Sequence, residues 1–192
     1  NDNSKKTLAV KLSKLMVARQ IIAESKLNPT YELIDSAIEQ GKKVIVFTSF
    51  TATLEEIAWK YNKRSVTLNG KMNKAKRQES VDRFQTDDKI QVFVGNIKAA
   101  GVGITLTAGE VVIFNDLSFV PSDHSQAEDR AYRYGQKSNV SVFYPVFENT
   151  IEMIIYDILQ RKKNVIDTVM GDNEENMGNS VMEDLISALK DS

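Results

Sequence analysis

The amino-acid sequence predicts an α/β fold: a three-layer α/β/α sandwich around a mostly parallel central sheet, with a helical lead-in at its N-terminus. Three observations carry this. Short runs of β-branched and aromatic residues, such as Val44-Ile45-Val46-Phe47, alternate along the chain with stretches of helical period. Those runs are apolar at consecutive positions, as in strands covered on both faces. A chain of 192 residues, 42% of them hydrophobic, is long enough to bury such a sheet between helical layers.

Leu8 to Leu27 has helical spacing through Leu8, Leu12, Leu15, Met16, Ile22 and Ala23, with Arg19 as the exception. Asn28-Pro29 is expected to break that helix. Thr30 then caps a second helix through Glu39, with Leu33, Ile34, Ala37 and Ile38 facing inward and Gly41 ending it. Val44 to Phe47 is the first strand. Thr51 to Tyr61 follows as a helix on the stripe Leu54, Ile57, Ala58 and Tyr61. Ser65–Leu68, Ile90–Val94, Val111–Phe114 and Val140–Val146 read as further strands. Asn73–Phe84, Ser122–Tyr134 and Thr150–Val169 read as the helices among and after them. The polar, acidic stretch 171–179 reads as a flexible linker. Val181 to Leu189 follows as a short amphipathic helix with Leu185, Ile186 and Leu189 on one face, suited either to this domain or to a partner. The expected layout is a lead-in over 1–40 packed on the lobe, the lobe over 41–170, the linker, and a terminal helix over 180–192.

Composition removes several classes of function. Without cysteine there is no disulfide scaffold and no thiolate metal site, and one histidine, His124, excludes a multi-histidine zinc centre. No metal site is expected. No apolar run reaches the roughly 18–20 residues of a membrane span. The opening Asn1 to Lys6 has neither a signal-peptide core nor an initiator Met, so an excised piece of an intracellular protein is expected, cytoplasmic if prokaryotic and nuclear if eukaryotic. The net charge of -1 hides an asymmetry: residues 1–100 carry 18 Lys and Arg against 11 Asp and Glu, and the remainder carries the acidic excess. A polyanion would be drawn to the first half, although solvated helix faces give the same count.

Phosphate-loop, zinc and nucleophile motifs are all absent, and His124 reads as a surface residue near a helix start. Three clusters at strand ends remain, where ligands of open α/β sheets bind. Phe47-Thr48-Ser49-Phe50 offers hydroxyls and amides at a helix start, fit for a phosphate or for ordinary capping. Asn96 to Leu106 combines Lys98 with Gly101 and Gly103, whose missing side chains let backbone approach a ligand, or simply make a tight turn. Gln126 to Gln136 holds Arg130 and Arg133 three residues apart, on one face if helical. Two guanidiniums there need acids or phosphates to answer them. Asp123, Glu128 and Asp129 could do so locally, and a nucleotide γ-phosphate is the alternative.

Taken in order, VIVFTSF (44–50), LNGKMNKAKRQESVDRF (68–84), NIKAAGVGITL (96–106), VVIFND (111–116) and QAEDRAYRYGQ (126–136) resemble motifs IV, IVa, V, Va and VI of the SWI/SNF-type DNA translocase ATPases. The resemblance spans about Lys43 to Lys163 and covers the second helicase lobe. Motif V is closer to the fork-remodelling, strand-annealing members. Tyr132 stands where that family usually has His, Phe119-Val120-Pro121 where it has Trp-Asn-Pro, and Asn96 where it commonly has Ser; both arginines are retained.

The resemblance implies a RecA-like lobe facing a first lobe that carries the phosphate loop and the acidic magnesium motif. ATP with Mg2+ would bind between the lobes. Arg130 and Arg133 would reach the γ-phosphate as catalytic arginines, with Gln126, Gly101 and Gly103 on the ATP side. Thr48, Ser49, Lys71, Lys74, Arg77 and Lys98 would lie along DNA, double-stranded and held by its phosphates. The fragment alone is expected to hydrolyse no ATP. A lobe that kept the fold but lost catalysis, serving as a regulatory module, and an RNA helicase lobe are the alternatives.

Overall fold

The computed structural model describes residues 2–100, 103–132, 139–166 and 174–189. Five strands, β1 (Lys43–Thr48), β2 (Ser65–Leu68), β3 (Val92–Asn96), β4 (Gly109–Phe114) and β5 (Ser141–Phe143), form one sheet in the order β2-β3-β1-β4-β5. Every neighbouring pair is parallel, and Val44 of β1 sits between Val92 and Val111. Parallel neighbours require crossovers, and helices supply them. These are α3 (Thr51–Tyr61), α4 (Lys74–Thr86), the short α5 (Ile97–Ala100) and α6 (Pro121–Ala131). The lead-in helices are α1 (Asp2–Ser25) and α2 (Leu27–Glu39), and α7 (Ile151–Ile166) and α8 (Glu174–Ala188) follow the last strand.

The apolar run of β1 explains the layering. Side chains alternate along a strand, so Val44 and Val46 enter one layer with Ile34 of α2 and Leu54 and Ile57 of α3. Ile45 and Phe47 enter the other with Phe84 of α4, Ile97 of α5 and Ala127 and Ala131 of α6. All four β1 residues are fully buried. Full burial of such a side chain stabilises by about 1.5–3 kcal/mol, so β1 anchors both layers. Gly95 lets β3 fit beside it: a Cβ there would lie 3.1 Å from the Phe93 ring and 3.2 Å from that of Phe47. A third cluster joins Leu15 of α1, Leu117, Ile155 and Ile158 of α7, and Val181 and Leu185 of α8.

Several boundaries differ from expectation. The break between the first two helices falls at Lys26 rather than at Asn28-Pro29, and Pro29 lies in the first turn of α2, where no helical partner awaits its missing N–H. Thr30 does not cap. It is buried, and its hydroxyl donates to Asn115 Oδ1 at 2.7 Å. β5 is shorter than Val140–Val146, and its residues are exposed. Residues 174–179, read as linker, belong to α8, while the rest of that expected linker, 171–173, lies outside the described residues. α8 docks on this domain: Val181 and Leu185 are fully buried, and Lys162 of α7 meets Ser180 at 2.5 Å and Asp184 at 2.9 Å. Its expected apolar face is only partly used, since Leu189 is exposed. Among the described residues no helix is long and apolar enough to cross a membrane.

Candidate functional site

The carboxyl ends of β1, β3 and β4 are stitched together by short polar side chains. Asp116, just past β4, accepts a hydrogen bond from the Thr48 hydroxyl and another, at 2.9 Å, from the Ser49 N–H. The Phe50 N–H donates to Thr48 Oγ1 at 3.2 Å. Asn96, the last residue of β3, donates to the Ser49 carbonyl at 3.3 Å and accepts from the Lys98 N–H at 3.1 Å. Asn96 thus ties β3 to β1 where the similar motif commonly has Ser. Thr48 is fully buried and engaged, so its hydroxyl is not presented to a ligand as expected; it positions Ser49 instead. Ser49 is half-buried, and Lys98 is exposed beside it.

A basic loop extends this edge beyond β2. Asn69 Oδ1 accepts from the Lys71 N–H at 3.0 Å, and Asn73 caps α4 by accepting from the Lys76 N–H at 2.9 Å. Arg77 donates to the Met72 carbonyl at 2.9 Å and to the Gly70 carbonyl at 3.1 Å. Its guanidinium therefore shapes the loop, while Lys71 and Lys74 remain exposed. The expected phosphate-facing set divides accordingly: Lys71 and Lys74 after β2 and Lys98 after β3 are exposed, Ser49 after β1 is half-buried, and Thr48 and Arg77 serve as supports.

Arg130 lies elsewhere. The chain enters α6 after the carboxyl end of β4, and the Arg130 carbonyl accepts from the Leu106 N–H at 2.8 Å, three residues before β4 begins. Asn96 thus lies at the carboxyl edge and Leu106 near the amino edge, where Arg130 of the expected third cluster is bonded to it; residues 133–136 of that cluster lie outside the described residues. Gly103 has φ of 51°, a left-handed conformation that favours glycine, and is exposed. Arg130 is half-buried, and its Nε is a buried donor without a partner among the described residues. Such an orphan costs about 1–3 kcal/mol unless an acceptor arrives. The neighbouring acids do not answer it: Glu128 accepts from the Tyr144 hydroxyl and Asp123 from the Ser118 hydroxyl. Gln126 is half-buried on the same helix.

α6 ends at Ala131, and Tyr132 is extended with φ of -92° and ψ of 120°, so the expected helical face shared by Arg130 and Arg133 is not formed by this helix. Arg133 and Gly101 lie outside the described residues. His124 is buried rather than at the surface, against the rings of Phe114 at 5.0 Å and Tyr144 at 5.6 Å. Burial holds its pKa below 6.5 and keeps the ring neutral near pH 7. Among the described residues no three metal-ligating side chains come together.

The sequence reading missed a buried cationic network behind this edge. Lys26 Nζ lies 2.5 Å from Glu152 Oε1 and 2.9 Å from the Pro145 carbonyl. Arg19 donates to the Leu117 carbonyl and stacks over Phe119, with 4.2 Å from guanidinium to ring centroid. Burial lowers the pKa of Lys26 and raises that of Glu152, and each offsets the other's shift. The signal was present: Arg19 and Lys26 continue the stripe of Leu15, Ile22 and Ala23, where a basic residue needs a buried partner.

Residues 25–135 match the helicase conserved C-terminal domain. The chain is similar to the SWI/SNF-related matrix-associated actin-dependent regulator of chromatin subfamily A-like protein 1 homolog of Caenorhabditis elegans, 42% identical over 67% of this chain and 19% of that protein. It is similar to the ATP-dependent helicase fft3 of Schizosaccharomyces pombe, 36% identical over 79% of this chain and 17% of that protein. The chain therefore spans less than a fifth of the length of these curated relatives. Among solved structures it is similar to the Sulfolobus solfataricus SWI2/SNF2 ATPase core in complex with dsDNA, with a TM-score of 0.66 and 26% identity over 91% of this chain and 40% of that one.

Proposed function

The chain belongs to the helicase conserved C-terminal domain family, in its SWI/SNF-type branch, and from that premise we propose that it is the second lobe of an ATP-dependent double-stranded DNA translocase. The observation that carries this reading is Arg130: a guanidinium with a buried, unanswered N–H on the motif VI helix, in a lobe with no phosphate loop. A nucleotide phosphate from a facing lobe supplies the acceptor that the orphaned donor lacks. In this reading ATP is the substrate, bound between two lobes. Arg130 and Arg133 bind the charge that develops on the γ-phosphoryl group, with Arg133 as the finger. Gln126 orients that face, and the backbone at Gly101 and Gly103 approaches the nucleotide. The first lobe supplies the phosphate loop and holds Mg2+, and this chain alone does not turn ATP over.

DNA lies along the carboxyl edge. Ser49, Lys71, Lys74 and Lys98 face its phosphates, while Thr48 and Arg77 hold their neighbours in place. Such contacts position a duplex without reading its sequence. That a similar ATPase core has been solved in complex with dsDNA supports DNA as the ligand. The segment from Asn96 to Leu106 connects the two regions, since it begins beside Ser49 and ends bonded to Arg130. Closure of the lobes around ATP brings the arginines to the γ-phosphate, and opening after hydrolysis releases them, so lobe position gates the chemistry. In a eukaryote the protein works in the nucleus. The test is Arg130→Ala and Arg133→Ala, each in a protein carrying both lobes. DNA-stimulated ATP hydrolysis is expected to fall by about 10³-fold or more, with DNA affinity little changed. Unaltered turnover in both variants would overturn the reading.

A further inference from the structure

Arg19 is a cation on the buried stripe of α1, 7% exposed, and it touches two segments with different roles in the proposed translocase. The first is the carboxyl end of β1. The guanidinium lies over the Phe50 ring, 5.5 Å from its centroid, and Phe50 follows Ser49 and caps the start of α3. The second is the loop between β4 and α6, where the same group donates to the Leu117 carbonyl and stacks over Phe119, 4.2 Å from the centroid. That loop is no slack connection. The Ser118 N–H donates to His124 Nε2 at 3.1 Å, the Ser118 hydroxyl donates to Asp123, and the Val120 N–H donates to Ser118 Oγ at 3.1 Å. His124 and Asp123 belong to α6, so the loop is bonded to the helix that carries Arg130 in its last turn.

The chemistry of the side chain suits this junction. A guanidinium is planar and weakly hydrated, so it can stack on aromatic rings and still donate in its own plane, which an ammonium does poorly. Burial lowers the Arg19 pKa, and the carboxylates of Asp116 and Glu152 offset part of that. Asp116 is the residue that accepts from the Thr48 hydroxyl and the Ser49 N–H. Arg19 therefore supports the Ser49 edge twice, through the Phe50 ring and through its charge near Asp116. We propose that Arg19 is a positioning residue for DNA-stimulated ATP turnover: it locks the Ser49–Phe50 edge to the loop bonded to α6, so that DNA contact at the edge sets the alignment of Arg130. The inference rests on the translocase reading and adds to it a route of coupling that starts in the lead-in helix. An ordinary core anchor contributes stability alone, whereas a coupling residue also governs how strongly DNA stimulates turnover.

The test uses the protein carrying both lobes and a DNA duplex of arbitrary sequence. Arg19→Lys keeps a charge near Asp116 and removes the planar group, and Phe50→Leu keeps Arg19 and removes one ring. In both, the ratio of DNA-stimulated to DNA-free ATP turnover is expected to fall about tenfold, with the KM for ATP and the DNA affinity within about twofold of the parent. Val92→Ala, fully buried at the amino end of β3 and away from the junction, supplies the comparison. It should lower Tm at least as far as the other two and leave the ratio unchanged. A ratio within about twofold of the parent in both junction variants, or an equal loss in Val92→Ala, would overturn the proposal. Arg130→Ala and Arg133→Ala, measured alongside, separate the two levels of the argument. If they abolish turnover while the junction variants stay fully stimulated, only the role of Arg19 falls; if they leave turnover unaltered, the translocase reading falls and takes this inference with it.

Discussion

Replacing Lys26 by methionine removes a charge from a place water does not reach. The side chains of Lys26 and Glu152 are 0% and 6% exposed, and their charged atoms lie 2.5 Å apart. At an effective dielectric of about 20, two unit charges at that distance attract by about 6–7 kcal/mol. Desolvation of both ions consumes most of that gain, so the intact pair adds little net stability. The single variant is different, because the Glu152 carboxylate stays buried after its partner is gone, and its Oε2 already has no hydrogen-bond partner. The expected cost is about 3–5 kcal/mol, a fall in Tm of about 6–20 °C for a chain of this size. Lys26→Met with Glu152→Leu restores an uncharged interior and should return to within about 1 kcal/mol of the parent. Urea unfolding of the parent, both singles and the double closes the cycle. The reasoning fails if either single costs under about 1 kcal/mol, or if the two effects simply add.

Lys71→Ala with Lys98→Ala should weaken DNA binding and reduce the slope of log affinity against log salt by about 1–2; titrations at several salt concentrations check this, and an unchanged slope removes both lysines from the interface. Burial holds the His124 pKa below 6.5, so between 6.5 and that lower value the unfolded chain is protonated while the folded chain is not. This part of the stability is complete above 6.5 and is lost as pH falls; urea midpoints should show the loss in the parent and a flatter profile in His124→Gln. Thr30→Val leaves Asn115 Oδ1 without its donor and should cost about 1–3 kcal/mol, read as a shift in the urea midpoint at constant m-value. Gly95→Ala pushes a methyl group against Phe93 and Phe47 and should destabilise by about 1–3 kcal/mol in the same assay.

The layered fold was legible because burial on two faces writes itself into consecutive apolar residues. Val44 to Phe47 is such a run, and the structure buries all of it at the centre of the sheet. Strand order was not written this way, because register depends on partners far along the chain. The network behind the carboxyl edge was invisible for the same reason: Arg19 meets Leu117 across 98 residues, and Lys26 meets Glu152 across 126. Thr30 fitted a capping rule that uses local neighbours alone, and its actual partner, Asn115, is 85 residues away. Candidate residues were found by chemical type, which does not separate Lys98, exposed, from Thr48, enclosed. Arg77 shows the same ambiguity, since a loop carbonyl and a phosphate oxygen accept equally well from a guanidinium.

The hydrogen bond between Leu106 and Arg130 sets how motion can spread in this molecule. Its donor is the backbone N–H of Leu106, a residue with no exposure at all, and its acceptor belongs to a helix whose Ala127 and Ala131 are sealed into the same interior. A molecule tugging on Arg130 thus pulls against dense packing rather than a slack loop, and dense packing yields by moving whole or hardly at all. Ile97 and Ala99, which flank Lys98 in the chain, are packed into that same interior.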